Sequence, residues 1–199
     1  MHKPAPATHS IHDLLQQRWS PRAFSGKPIP HDILRSLFEA ARWAPSSSNE
    51  QPWVFLVTTK EDAEGHARML STLVEFNQAW AKHAPLLGIA VSELNFARSG
   101  KPNRNAFYDT GAAMAHLSLE ATSRGLFVHQ MGGFDPQKAR ELFEIPDGWE
   151  PVAAFVIGYP GDPETLPETL RQREAAPRER KPLKAFVMGA HWGEIASFL

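Results

Sequence analysis

Apolar positions recur along this chain at two spacings, and the switches between them mark out its elements. Ile11, Leu14, Leu15 and Trp19 fall at helical spacing behind a Ser10 cap, with Asp13 three residues on. Pro21 limits that helix. Ile33, Leu34, Leu37, Phe38 and Ala41 trace a second helix, opened by Pro30 and ended before Pro45. Trp53 to Thr59, rich in Val, Phe and Thr, reads as a strand. Residues 61–83 are predicted as one long helix, with Met69, Leu70, Leu73, Phe76 and Trp80 roughly in register. The continuous apolar run Leu86 to Val91 is a buried strand, and 93–105 a loop. Asn105 to Arg124 is a long helix with Phe107, Gly111, Ala112, Ala115 and Leu119 facing inward, Thr122 at the end of the stripe and Gly125 after it. A short strand follows over Phe127 to Met131, then a helix opening near Asp135 and running to about Phe143, then a strand over Val152 to Tyr159.

This order predicts a layered domain, α+β or α/β, with four or five strands. Residues 1–199 form one domain, with 1–9 as a loose arm. Residues 162–177 are charged and proline-bearing and read as an extended tail outside the core. Ala185 to Leu199 is apolar enough to dock on something. The two long helices carry more apolar face than one such domain covers, so a dimer is expected.

Composition narrows the function. A chain of 199 residues buries roughly 70% of its unfolded surface and needs no staples. A net charge of −1 argues against nucleic-acid and polybasic membrane partners. The absence of cysteine removes disulfides, thiolate metal sites and cysteine nucleophiles. No apolar run is long enough for a membrane span, and the first ten residues lack the apolar core of a secretory signal. A cytoplasmic setting is expected.

The candidate chemistry is a scattered set of donors. Arg18-Trp19-Ser20-Pro21-Arg22 places two guanidinium forks and a hydroxyl within five residues, a set that suits phosphate. It equally suits a helix C-terminus whose dipole favours cations. A second basic cluster lies at 178–181, and between the two come a Ser/Asn/Gln loop, Asn77 on an apolar helix and the Gly132-Gly133 turn. No G-x-G-x-x-G follows a strand, and there is no P-loop lysine or G-x-S-x-G elbow. His9 and His12 lack a carboxylate at metal spacing, so no metal site is expected. Many polar edges and two arginine clusters, with no nucleophile–base pair, fit a bound phosphorylated cofactor.

Five segments in order then carry a resemblance. They are Arg18-Trp19-Ser20-Pro21-Arg22-Ala23-Phe24, Ala44 through Trp53 (APSSSNEQPW), Gly125-Leu126 through Gly132-Gly133-Phe134-Asp135, Gly158-Tyr159-Pro160, and Arg178-Glu179-Arg180-Lys181-Pro182-Leu183. Together they resemble the FMN-dependent nitroreductase family over about Ile11 to Val187. The resemblance implies a three-layer α/β/α domain with a central mixed sheet. It also implies a swapped homodimer with FMN at the interface, and residues 162–199 docked on the partner. Arg18, Trp19, Ser20 and Arg22 would contact FMN, Arg18 at the phosphate and Arg22 at the pyrimidine edge, with Arg178 and Arg180 closing on the phosphate. Pro45, Ser46, Ser47 and Asn49 would come from the second subunit, Asn77 would bond the ring's polar edge, and Met131, Gly132 and Gly133 would pass near N5. Trp19, Trp80 and His116 depart from common family residues at their positions.

The implied activity is hydride uptake from NAD(P)H and reduction of a small nitroaromatic or quinone-like acceptor on one shared flavin face, by ping-pong turnover with no catalytic side chain. A specialised family reaction, such as reductive dehalogenation or flavin-dependent dehydrogenation, is the alternative. A flavin-binding protein without turnover is a further one.

Overall fold

A computed structural model describes residues 3–199; Met1 and His2 of the N-terminal arm lie outside the described residues. Seven α-helices are found there: α1 (Asp13–Gln17), α2 (His31–Arg42), α3 (Ala63–Leu70), α4 (Glu75–Ala81), α5 (Ala106–Ser123), α6 (Pro136–Leu142) and α7 (Glu168–Ala175). Four strands, β1 (Trp53–Thr59), β2 (Leu86–Glu93), β3 (Phe127–Met131) and β4 (Trp149–Gly158), form one sheet in the order β1-β2-β4-β3.

Every pairing in this sheet is antiparallel, so the mixed sheet expected from the resemblance is corrected for this chain's own strands. The connections explain why. Helices α3 and α4 make a there-and-back excursion that returns β2 beside the end of β1, where Lys60 N–H donates to the Pro85 carbonyl. Helix α5 carries the chain across the sheet, so β2 and β3 run the same way, but β4 enters antiparallel between them.

Side chains alternate across the sheet and build two cores. Leu87, Ile89 and Val91 of β2 join Ala154 and Val156 of β4 beneath Met69, Trp80, Ala139 and Leu170 of α3, α4, α6 and α7. Leu86 and Ala90 join Phe155, Ile157 and Val128 beneath Leu37 and Ala41 of α2 and Ala113, Met114, Leu117 and Ala121 of α5. These are the three layers. At Gly88 a Cβ would sit 2.4 Å from the Phe155 ring and 2.8 Å from the Leu56 carbonyl, so the second core closes only over a glycine.

Several sequence expectations need correction. Helix α1 is capped by His12, whose Nδ1 accepts from Leu14 N–H at 3.2 Å, rather than by Ser10. The helix predicted over 61–83 is two. At the break Val74 N–H donates to the Gly133 carbonyl, the Thr72 carbonyl accepts from Asp135 N–H, and Leu73 pairs with Phe134, so backbone pairing replaces helical bonds. The inward stripe of α5 is rotated. Phe107, Gly111 and Ala115 are exposed, while Asp109, Thr110, Ala113, Met114, Leu117, Ser118 and Ala121 are buried, with Thr122 inward as expected. The arm is fastened at residues 3–5, where Ala5 N–H donates to the Gln16 carbonyl and Lys3 lies 5.1 Å over the Trp19 ring. Nor is 162–177 a tail outside the core, because α7 buries Leu170 and Glu174 and the preceding turn buries Leu166.

Candidate functional site

Beyond α1 the chain turns sharply through Arg18 to Phe24, and four fixtures hold that turn. His129, on β3, places Nδ1 2.7 Å from the Pro21 carbonyl. A carbonyl only accepts, so Nδ1 carries the proton. The Ala23 carbonyl accepts from Gly161 N–H at 2.8 Å. Glu174 receives the Arg22 and Ala23 amides at 2.9 to 3.1 Å, and Arg178 donates to the Arg18 carbonyl at 2.8 Å.

Above this turn lies an open cleft of about 190 Å³ lined by Lys3, Arg18, Ser20, Arg22, Arg173 and Arg180, among others. Among the described residues, none of these cations is ion-paired with a carboxylate. Arg18 reaches Ser20 Oγ at 3.5 Å, and the buried Arg22 Nε has no hydrogen-bond partner among the described residues. Burial first, and then neighbouring positive charge, presses Arg18, Arg22 and Arg178 below the ordinary guanidinium pKa; Glu174 opposes the shift at Arg22. Cations crowded together with donors to spare suit an anion.

The sequence-predicted residues divide into groups. Arg18, Trp19, Ser20, Arg22, Arg178 and Arg180 are brought together along this cleft. Trp19 turns its ring into the core, 7% exposed and edge-on to Phe127, with Nε1 unpartnered among the described residues. Met131 is also a core side chain, so only its backbone is available to a ligand. Gly132 and Gly133 follow at the end of β3. Asn77 Nδ2 donates to the Gly133 carbonyl at 2.9 Å and so braces the glycine turn. A Cβ on Gly133 would lie 2.6 Å from that nitrogen. Arg173, 5.1 Å over the Phe76 ring, joins helix α4 to the cleft.

Pro45, Ser46, Ser47 and Asn49 lie elsewhere. Their loop leads into β1, at the sheet edge opposite β3. Its backbone is unusual, with positive φ at Ser48, Asn49 and Gln51. Ser46 Oγ accepts from Gln51 N–H, and Asp109, buried on α5, accepts from Ser47 N–H, each at 3.0 Å. The two groups of sequence-predicted residues therefore lie at opposite edges of the sheet.

Sequence reading missed His129, Asp109 and Glu174. Glu174 follows a polar run and Asp109 stands beside bulky Phe107 and Tyr108, which turn outward, so nothing local marks either acid as buried. His129 alternates correctly along β3, but its partner is 108 residues away.

Known proteins match this architecture. A crystal structure described as an oxidoreductase containing FMN has a TM-score of 0.90 and 35% identity, with 96% of each chain covered. An FMN reductase [NAD(P)H] of Bacillus subtilis is 28% identical over 158 residues, covering 71% of this chain and 62% of that protein. An NADH dehydrogenase of Thermus thermophilus is 25% identical over 203 residues, covering 86% and 92%. The family model for the nitroreductase family matches residues 15–159, from α1 through the end of β4. The chain belongs to the nitroreductase family.

Proposed function

We propose that this protein is an NAD(P)H-dependent FMN oxidoreductase that reduces small nitroaromatic or quinone-like acceptors. The observation that carries this reading is the cleft lined by Arg18, Arg22, Arg173 and Arg180, none of them paired with a carboxylate among the described residues. The donor set fits FMN: free cations suit its phosphate, and a turn without side chains allows close approach of a flat ring. When bound, FMN supplies the hydride chemistry.

The chain's own residues bind and orient. Arg18, Ser20 and Arg180 hold the phosphate, and Arg22 offers positive charge to the ring's pyrimidine edge, where reduction places negative charge. Asn77 keeps the Gly132-Gly133 backbone in place. Pro45, Ser46, Ser47 and Asn49 complete the site from a second copy, because within one protomer they sit at the far sheet edge. The assembly is a homodimer whose two identical sites each draw on both chains. The exposed α5 face, with Phe107 52% and Tyr108 81% exposed, and the apolar C-terminal residues Phe186, Trp192 and Phe198 supply its contact surface. No described helix is long and apolar enough to cross a membrane.

One face serves the nicotinamide and the acceptor in turn, so initial-velocity plots at several acceptor concentrations are expected to be parallel. Steady-state turnover with a nitroaromatic and quinone panel, with NADH and NADPH in separate runs, tests the reading. Intersecting lines would reject the shared face, and flavin reduction without turnover on any acceptor would favour a specialised reaction.

A further inference from the structure

The end of α7 and the residues after it grip the arginine turn with side chains of opposite sign. Glu174 is 1% exposed, and its carboxylate accepts from Arg22 N–H at 2.9 and 3.0 Å and from Ala23 N–H at 3.1 Å. Four residues on, Arg178 donates to the carbonyls of Arg18 and Gln16 at 2.8 Å and of Lys3 at 2.9 Å. The anion takes amides and the cation takes carbonyls, on the two sides of Ser20. Lys3 Nζ closes the circuit on the Glu174 carbonyl, and buried Leu170 anchors the helix. Arg178 thus directs three N–H donations to backbone. Among the described residues Arg180 donates only to the adjacent Glu179 carbonyl.

We propose that Glu174 and Arg178 are positioning residues. They hold the 18–23 backbone in the shape that makes Arg18 and Arg22 converge on a phosphate-bearing flavin, and leave Arg180 as the C-terminal cation that touches it. This inference rests on the FMN reading above.

The sign of one substitution separates positioning from simple electrostatics. Glu174 puts a negative charge among cations, so by charge alone its loss tightens binding of an anion. Positioning demands the reverse, because Gln keeps one acceptor oxygen but sets its NH2 donor against the Arg22 amide, where Glu174 has its second oxygen. Arg178→Lys keeps the charge but loses the fork that reaches three carbonyls.

The experiment is titration of the cofactor-free protein with FMN by fluorescence quenching, with riboflavin as the phosphate-free control and thermal unfolding as a check on folding. Glu174→Gln and Arg178→Lys are each expected to weaken FMN binding about tenfold. Riboflavin affinity changes less in Arg178→Lys, which acts through Arg18 at the phosphate, and falls with FMN affinity in Glu174→Gln, which acts through Arg22 at the ring. Equal or tighter FMN binding by either folded variant overturns the proposal. If neither variant folds, amide exchange on the wild type decides. FMN is then expected to slow exchange at Arg22, Ala23 and 168–178 together, and unchanged exchange at Arg22 and Ala23 overturns it. A wild-type protein that binds no FMN instead rejects the reading on which the proposal rests.

Discussion

His129 sits behind the arginine turn with its ring 4.6 Å from that of Trp80. Burial chiefly, with the nearby charges of Arg22 and Arg18, holds its pKa at about 4, although hydrogen bonds to the Pro21 and Ser20 backbone pull the other way. The folded value lies below the ordinary 6.5, so the unfolded chain binds a proton first as pH falls. Stability from this residue is intact above about pH 6.5 and declines toward pH 4. By pH 5 the loss is about 2 kcal/mol. Burial lowers His66 and His83 as well, and they act in the same direction. Urea unfolding at pH 7.5 and 5.0 is expected to show this decline, with a smaller one in His129→Gln, whose amide still reaches the Pro21 carbonyl. Equal slopes for the two proteins would contradict a neutral buried His129.

At the scale of elements, the break between α3 and α4 places Asn77 against the glycine turn. Gly133→Ala would push a methyl to 2.6 Å from Asn77 Nδ2 and 3.1 Å from Val74, so either the turn shifts or Asn77 gives up its place against it. The expected outcome is a stability loss of about 1–3 kcal/mol and weaker FMN binding, both measurable by denaturant titration and flavin fluorescence. Wild-type values for both would mean that the turn is not braced as described. This break also shows where sequence reading stops. Apolar spacing over 61–83 is continuous, and only the distant backbone of residues 133–135 converts one helix into two. Helix α5 fails differently, because small residues lie on both its faces. Its buried hydroxyls are satisfied, Ser118 by the Met114 carbonyl and Thr122 by the Ser118 carbonyl within the helix, Thr110 by the Ser92 hydroxyl on β2, so polar residues face inward at little cost. The bulky Phe107 and Tyr108, which hydrophobicity assigns to a core, point outward. By contrast β1 and the strand cores of β2 and β4 were legible, since their runs need no distant partner to be recognised. The arginine turn was legible by composition, but its supports Glu174 and His129 were not, since their partners lie more than a hundred residues away.

In the whole molecule the arginine cleft and the 45–49 loop lie at opposite edges of one sheet, and the outward face of α5 leaves apolar surface uncovered. Gly111 lies on that face, and a Cβ there meets nothing within 4 Å in the protomer. Gly111→Arg is therefore expected to leave the protomer folded, with only the modest helix-propensity gain of replacing glycine. It should shift size-exclusion with light scattering from dimer to monomer and weaken FMN binding with it. A variant that stays dimeric with full FMN affinity would move the interface away from α5.

An absorption spectrum from about 300 to 550 nm of the purified protein with FMN, before and after anaerobic NADH or NADPH, tests the central claim most directly. The expected result is a protein-bound flavin band that bleaches on addition of at least one nicotinamide. A band that persists with both would contradict NAD(P)H-dependent reduction, and failure to retain any FMN would mean that the arginine cleft serves another anion.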